Sequence, residues 1–233
     1  MNQRLADTLA ARRRAQAVSG LRGLATRGPG PGTPGSAAPG LEAPPPAGEA
    51  EASEHCDLCG LTIPEDHRHL LHLVERQIVC SCEACWAMRA GEGDYRPVGN
   101  RTLWLEALEI PDEVWASFQI PIGLAFFMES TVTNCVVAMY PSPAGATESE
   151  LHFESWSRML LLNPALNTLE PDIEGLIVNR MSDPPAYAIA PIDTCYALTG
   201  TIKASWEGIS GGGAVELAVA GFFEQLREKA VVA

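Results

Sequence analysis

Five of the seven cysteines lie in two short segments, His55-Cys56-Asp57-Leu58-Cys59-Gly60 and Cys80-Ser81-Cys82-Glu83-Ala84-Cys85, and these segments determine how the first part of the chain folds. Each segment holds a Cys-x-x-Cys pair, and because only two residues separate its cysteines, both sulfurs can face one point. A glycine after the first pair relieves the tight turn that this requires. The two pairs together predict one tetrahedral metal site with four thiolate ligands: Cys56, Cys59, Cys82 and Cys85.

The four thiolates predict zinc as the metal, with iron as an alternative that the spacing alone does not separate from it. The 22 residues between Cys59 and Cys82 slightly exceed the roughly 15–20 residues that separate most paired zinc motifs. A rubredoxin-type iron or an iron–sulfur cluster also takes four thiolates. Disulfides, or cysteines buried as small hydrophobic residues, are the alternative without a metal. The chain shows no recognisable secretory signal, so we expect a cytoplasmic protein, in which Cys pairs usually bind metals or carry out redox chemistry.

A fifth cysteine, Cys80, lies just before the second pair. It could replace Cys82 as a ligand, or lie beside the site as a reactive thiol or a buried residue. The intervening residues predict a hairpin of two strands, His69–Val74 and Gln77–Val79, which is typical of a zinc ribbon. After the second pair, the apolar stretch Trp86-Ala87-Met88 is expected to cover the metal site.

Histidines follow the first of these predicted strands. Alternation along a strand places His67 and His69 on one face and His72 on the other. Ordinary solvated or core histidines are the simpler interpretation. The sharper hypothesis is a second, weaker metal or thiol site formed by Cys80, His67 and His69.

Composition divides the chain of 233 residues into four parts. Residues 1–28 form a basic arm, with six Arg against one Asp, and residues 29–53 form a linker with seven Pro, five Gly and six Ala. We expect both to be disordered. Residues 54–95 form the predicted Cys/His ribbon, and residues 96–233 form a mixed α+β domain that begins near Tyr95–Val98.

Charge and hydropathy argue against nucleic acid and the membrane interior as partners of the folded part. The formal net charge is −13, and because the arm carries +5, residues 29–233 carry −18. An acidic body repels a phosphate backbone, so we expect no nucleic-acid binding by the folded part. No apolar run approaches the roughly 18 residues of a membrane span, so we expect no transmembrane segment.

The predicted α+β domain alternates short helices and apolar strands. The patterns predict helices at Pro111–Phe118, at Phe153–Leu162, from Pro191 through Cys195, Tyr196 and Leu198, and at the C-terminus, where one face is formed by Val215, Ala218 or Val219, Phe222, Leu226 and Ala230. They predict a central hairpin of Ile120–Met128 and Val132–Tyr140, a loop over Pro141–Ser149, and strands at Ile173–Asn179 and Ala186–Ala190.

Catalytic patterns are weak in this sequence. His152 is the one histidine outside the ribbon, and no Gly-x-Ser-x-Gly motif accompanies it. Cys135 is predicted to be a core residue, and Cys195 beside Asp193 is a weak candidate. The glycine-rich loop at 208–213 lacks the lysine of a P-loop, so a plain connection is favoured over an anion site. We therefore expect a protein that is not an enzyme.

Six motifs together resemble a bacterial family without an assigned activity, which is encoded near high-affinity nickel–iron hydrogenases and has an N-terminal zinc-ribbon-like Cys motif. The resemblance covers about residues 54–230, and it implies a role in the assembly or the electron transfer of a hydrogenase. Its motifs are Cys56-Asp57-Leu58-Cys59, His67-Arg68-His69-Leu70-Leu71, Cys80-Ser81-Cys82-Glu83-Ala84-Cys85, Ile120-Pro121-Ile122-Gly123-Leu124-Ala125-Phe126-Phe127, Tyr140-Pro141-Ser142-Pro143-Ala144-Gly145-Ala146-Thr147-Glu148 and Pro191-Ile192-Asp193-Thr194-Cys195-Tyr196.

The sequence and the resemblance lead to three functional hypotheses. The favoured one is a metal-binding accessory or interaction protein that supports a nickel–iron hydrogenase, with hydrogenase subunits or maturation factors as its partners. The second is a rubredoxin-like carrier of one electron, which would hold iron at the same four cysteines. The third is a zinc-ribbon regulator of transcription, which the acidic charge disfavours.

Overall fold

The computed structural model of the protein describes residues 54–142, 145–151, 153–207 and 212–233. The predicted basic arm and linker lie outside the described residues, as do His152 and positions 208–211 of the glycine-rich loop. The described chain has an α+β fold, as the sequence predicts. A small ribbon region (residues 54–97) precedes a sheet region (residues 98–233).

The ribbon region contains a three-stranded antiparallel sheet and one helix. The predicted hairpin is confirmed, but its turn comes earlier, over 73–76, where Arg76 takes a positive φ of 50°. Tyr95–Pro97 was expected to open the larger domain, whereas it pairs with the first strand and extends the ribbon two residues past the predicted boundary. The elements are β1 (Arg68–His72), β2 (Gln77–Ser81), α1 (Glu83–Arg89) and β3 (Tyr95–Pro97), and the strand order is β2-β1-β3.

The sheet region is built on seven strands in the order β10-β4-β9-β8-β5-β6-β7. Neighbouring strands are antiparallel except β10 and β4, which are parallel. The strands are β4 (Leu103–Trp104), β5 (Leu124–Ser130), β6 (Cys135–Ser142), β7 (Gly145–Glu150), β8 (Glu174–Asn179), β9 (Ala186–Pro191) and β10 (Val231–Val232). The helices are α2 (Asp112–Ser117), α3 (Phe153–Leu162), a 3₁₀ helix (Pro164–Thr168), α4 (Ile192–Ser205) and α5 (Gly212–Lys229).

Helices cover both faces of this sheet, and an apolar cluster fills each side. Alternate residues of β5 enter opposite clusters: Phe126 packs in the cluster that includes α4 and α5, and Phe127 packs in the cluster that includes α2 and α3. Because β5 is buried on both faces, its sequence is a continuous apolar run rather than an alternating one. Leu71 and Leu73 of the ribbon region join the cluster of α4 and α5.

Three predictions about the sheet region need correction. Pro141–Ser149 was predicted to be a loop, but residues on both sides of positions 143–144 pair as β6 and the edge strand β7. An edge strand pairs on one side and faces solvent on the other, so it tolerates the polar residues that had suggested a loop. The predicted hairpin of β5 and β6 is present but lies toward that edge of the sheet rather than at its centre.

The third correction concerns the C-terminal helix, whose buried face includes the predicted Val219 and Leu226 but has Phe223 in place of Phe222. Val219, Phe223 and Leu226 are buried, whereas Phe222 is only partly buried. Ala230 lies beyond the end of the helix. The apolar pair at 222–223 left the choice of face open to either phenylalanine.

Candidate metal centre

The first cysteine pair lies in a tight turn at the start of the ribbon region. The Cys56 amide donates to the Leu61 carbonyl (2.8 Å), and the Gly60 amide donates to the Cys56 carbonyl (2.7 Å). Gly60 has φ of 76°, a conformation that glycine adopts without steric cost. This turn directs Cys56 and Cys59 toward one point, as their spacing predicts.

The second pair lies at the beginning of helix α1, directly after β2. Cys82 is the N-cap residue, and its sulfur accepts a hydrogen bond from the Cys85 amide at 3.5 Å. Cys85 therefore lies in the first helical turn, beside the cap. The centre thus combines a turn, a hairpin and a helix N-terminus, and the helix start at Cys82 was not predicted.

The cover of the centre also differs from the prediction. Trp86–Met88 was expected to cover the metal site, yet no residue of α1 is buried and Met88 is 74% exposed. Ile63 packs instead against the buried Cys56 and Cys82. The apolar residue that shields the sulfurs therefore follows the first pair rather than the second.

Asp57, which sequence reasoning missed, joins the two halves of the centre. Its amide donates to the Cys80 carbonyl (2.9 Å), and its Oδ2 accepts a hydrogen bond from the Cys80 amide (2.7 Å). These two bonds fasten the first turn to β2, the strand that leads to Cys82. An aspartate inside a Cys-x-x-Cys pair, where it can accept from a neighbouring amide, was the available signal.

The four predicted ligands come together in space. The sulfurs of Cys56, Cys59, Cys82 and Cys85 all lie within 4.8 Å of one another. The Cys59 and Cys82 sulfurs are 3.7 Å apart, and all four cysteines are free thiols. Tetrahedral zinc with Zn–S bonds of about 2.3 Å would place its sulfurs about 3.8 Å apart. The donor set therefore fits a metal ion of this kind.

Hydrogen bonds within this group shift the pKa values of Cys56 and Cys85 in opposite directions. Burial raises the pKa of Cys56, but backbone hydrogen bonds from Cys82, Leu58 and Cys59 outweigh it and lower the pKa from 9.0 to about 6. Hydrogen bonds with Cys59 and Cys82, followed by desolvation, raise the pKa of Cys85 to about 12. Neighbouring thiolates repel one another, so four thiolates at this spacing require a cation between them.

A second group of ligand atoms lies next to the first. One ligand atom from each of His67, His69 and Cys80 lies within 4.8 Å of the others. His69 and Cys80 are direct cross-strand partners, and His67 precedes His69 by two residues. His72 instead contacts the Tyr95 ring, with centroids 5.0 Å apart. The predicted separation of the histidines is therefore confirmed.

Cysteines of the sheet region lie apart from these groups. Cys195 is completely buried, and this burial raises the pKa of its thiol well above 9.0, so it is poorly suited to act as a nucleophile. Cys135 is partly buried against the cluster of α4 and α5. An open cleft of about 880 Å³ is lined by Trp104, Tyr187 and Arg227 among others, with no cysteine or histidine in its described lining.

Comparison with known proteins identifies a family. No helix within the described ranges is long and apolar enough to cross a membrane. No curated protein and no solved structure matches the chain. Residues 55–230 match the family DUF5947, described as a family of unknown function. Because this match covers the ribbon region from its first cysteine pair and nearly all of the sheet region, the chain belongs to the DUF5947 family.

Proposed function

We propose that this protein is a metal-binding accessory protein whose four-cysteine centre holds one structural zinc ion. The observation that carries the proposal is the convergence of four sulfurs from a turn and a helix N-terminus at a spacing that suits tetrahedral coordination. Cys56, Cys59, Cys82 and Cys85 are its ligands. Four protein ligands complete the coordination of the ion, which is typical of structural rather than catalytic zinc.

The small core around the centre supports a structural role. The cluster beside the sulfurs contains three buried residues, Cys56, Ile63 and Cys82, two of which are themselves ligands. So small a cluster buries little apolar surface, and a module of this size usually needs a metal or another cross-link to hold its fold. Zinc therefore orders the turn, the hairpin and helix α1 with respect to one another.

The proposed setting is the assembly or function of a nickel–iron hydrogenase in the cytoplasm. It rests on the sequence resemblance described above, and its partners are hydrogenase subunits or maturation factors. In this proposal the protein acts by binding and not by catalysis.

One observation favours a second function, transfer of one electron by iron at the same cysteines. Cys59 is exposed and Cys85 is half-buried. An exposed thiolate ligand would give a redox partner a short path to the metal. A rubredoxin-type iron takes the same four ligands, so metal identity separates the two functions.

Elemental analysis of protein purified without oxygen tests the proposal. We expect one zinc per chain and no absorption in the visible range. A Cys59→Ser variant should lose most of the metal, whereas a Cys135→Ser variant, changed in the sheet region, should keep it. Iron with thiolate-to-iron absorption would establish the carrier instead. Protein without stoichiometric metal would refute both functions.

Co-purification tests the partner. The tagged protein is recovered from its own host beside a tagged Cys59→Ser variant. We expect hydrogenase subunits or maturation factors with the first and their depletion with the second. Enrichment of DNA would favour the transcription regulator, and recovery of neither would refute the hydrogenase setting.

A further inference from the structure

We propose that His67, His69 and Cys80 form a second metal site, distinct from the four-cysteine centre. The site would bind a borderline divalent ion such as zinc, nickel or cobalt through two imidazoles and one thiolate. Three protein ligands leave one position of a tetrahedral ion for an exchangeable ligand. This goes beyond the structural zinc proposed above, because a complete four-cysteine set has no such position.

The hairpin brings the three ligands to one face. His69 on β1 is directly opposite Cys80 on β2, and opposite residues of an antiparallel pair project side by side. His67 and His69 are two residues apart, and their ring centroids are 4.7 Å apart. The register of a single strand pair therefore creates the cluster.

The buried ring of His67 is the feature that indicates a bound metal ion. Its side chain is only 6% exposed. Its Nδ1 lies 2.9 Å from the Pro64 carbonyl oxygen and 3.1 Å from Glu54 Oε2. Both oxygens are acceptors, so Nδ1 carries the proton and, in the neutral ring, Nε2 carries the lone pair. This buried Nε2 has no hydrogen-bond partner among the described residues. A buried acceptor without a partner is costly, and a metal ion would satisfy it.

The sheet region orients the His69 ring through a hydrogen bond to Asp193. Its Nδ1 donates to Asp193 Oδ2 at 2.7 Å. The other oxygen of that carboxylate accepts from the Thr194 amide at 2.6 Å, in the first turn of α4. Asp193 thereby fixes the His69 ring with its Nε2 available for a metal. Metal-bound histidines typically donate their other ring nitrogen to a carboxylate or a carbonyl, as both histidines do here.

Cys80 supplies the third ligand without being taken from the first centre. The four-cysteine group is complete without it, and the Cys80 amide is fixed by Asp57 Oδ2 at 2.7 Å. Asp57, which directly follows Cys56 in the chain, therefore links the two groups of ligands through the Cys80 backbone. Two imidazoles and a thiolate suit zinc, nickel and cobalt, and they do not suit magnesium or calcium, which prefer oxygen ligands.

Cobalt titration of the full-length protein, loaded beforehand with one zinc per chain, tests the second site. Cobalt bound by a thiolate absorbs light, so binding is read directly, and zinc released in the same samples distinguishes exchange at the first centre from additional binding. We expect one further cobalt per chain at constant zinc. Cys80→Ser should abolish the thiolate absorption, and His69→Ala should weaken cobalt binding at least tenfold.

Matched variants make the test specific. His72→Ala alters the same hairpin on its other face, and Cys135→Ser removes a cysteine of the sheet region, so both should bind cobalt like the unaltered protein. Asp193→Asn should weaken binding by about 10- to 100-fold while keeping the thiolate absorption, since Asp193 positions His69 without touching the ion.

The outcomes are distinct from those that test the structural zinc. No cobalt beyond exchange with zinc, or thiolate absorption that persists in Cys80→Ser, would overturn the second site. If Cys80→Ser or His69→Ala loses its zinc through misfolding, the result for Asp193→Asn decides, because its substitution lies in α4. Unchanged cobalt affinity in that variant would also overturn the proposal. A second site in protein whose four-cysteine centre holds no metal would refute the proposed function alone.

Discussion

The ribbon region and the sheet region reach a stable structure by different means. The sheet region buries strand β5 on both faces between two large apolar clusters. The ribbon region has a cluster of three buried residues around its sulfurs. Burial of apolar surface can therefore hold the sheet region together, whereas the ribbon region depends on its attachment to the sheet region and, in the function proposed above, on its zinc ion.

The candidate metal ligands lie in the ribbon region, which has the smaller apolar core. Leu71 and Leu73 anchor the ribbon region in the core of the sheet region, and His69 is bonded to Asp193 on α4. The Arg76 guanidinium forms an ion pair with Glu148 Oε2 on the edge strand β7, at 2.8 Å. The sheet region thus holds the ribbon region in place, and the short elements of the ribbon region carry all seven candidate metal ligands.

Removal of the metal should change the ribbon region far more than the sheet region. A structural zinc typically contributes about 10–16 kcal/mol of apparent binding free energy. With a strong chelator, we expect residues 54–67 and 80–90 to lose most of their protection against hydrogen exchange. Strands β5 and β8 should keep theirs, because their clusters contain no metal ligand. Uniform loss of protection over both regions would show that the metal supports the whole chain.

A core truncation in the sheet region should have the opposite pattern. Phe127 is fully buried, and its ring packs against those of Phe118 and Trp156. Phe127→Ala should lower the free energy of unfolding by about 3–5 kcal/mol, measured with a denaturant. The metal content of the folded protein should stay unchanged. Leu161→Ala, at a position that is 82% exposed, is the control and should change stability by less than about 0.5 kcal/mol.

The anchor between the regions should give an intermediate effect. Leu71 is 1% exposed and lies in the cluster of α4 and α5. Leu71→Ala should cost about 2–4 kcal/mol and should lower hydrogen-exchange protection in both regions. Val74→Ala, in the turn that follows β1 and at a position that is 56% exposed, should leave both unchanged. A loss confined to the ribbon region would show that the two regions unfold independently.

Local patterns were sufficient to predict much of the structure. The spacing of four cysteines predicted the centre, and alternation along the hairpin predicted that His67 and His69 share a face apart from His72. Helix α3 has the predicted bounds, Phe153–Leu162, because its apolar residues recur at helical spacing and Pro164 follows it. These features depend on residues that are close together in the sequence.

Features that depend on distant partners were not predictable. Asp193 lies 124 residues after His69, and nothing in either local sequence indicates the other. Strands β4 and β10 are two residues each, which is too short for a periodic pattern. Asp57 holds Cys80 across 23 residues. The sequence alone therefore predicts the candidate metal ligands, whereas the groups that orient those ligands are identified only from the fold.

The pH dependence of stability at alkaline pH should be a smaller effect, and it arises in the sheet region from Cys195. Burial raises the pKa of the Cys195 thiol well above its ordinary value of 9.0. In the unfolded chain this thiol loses its proton near its ordinary pKa, while in the folded chain it stays protonated. The unfolded state then binds fewer protons than the folded state, so stability falls as pH rises through about 9.

Between pH 7.5 and 9.5 we expect the sheet region to lose about 1 kcal/mol from this thiol. Denaturant unfolding of the sheet region at several pH values measures the slope. Cys195→Ala should flatten that slope, whatever it does to stability at pH 7.5. Cys135→Ala, for which no comparable burial applies because the thiol is only partly buried, should keep the slope. Equal slopes in the parent protein and in Cys195→Ala would show that another group governs the alkaline stability of the sheet region.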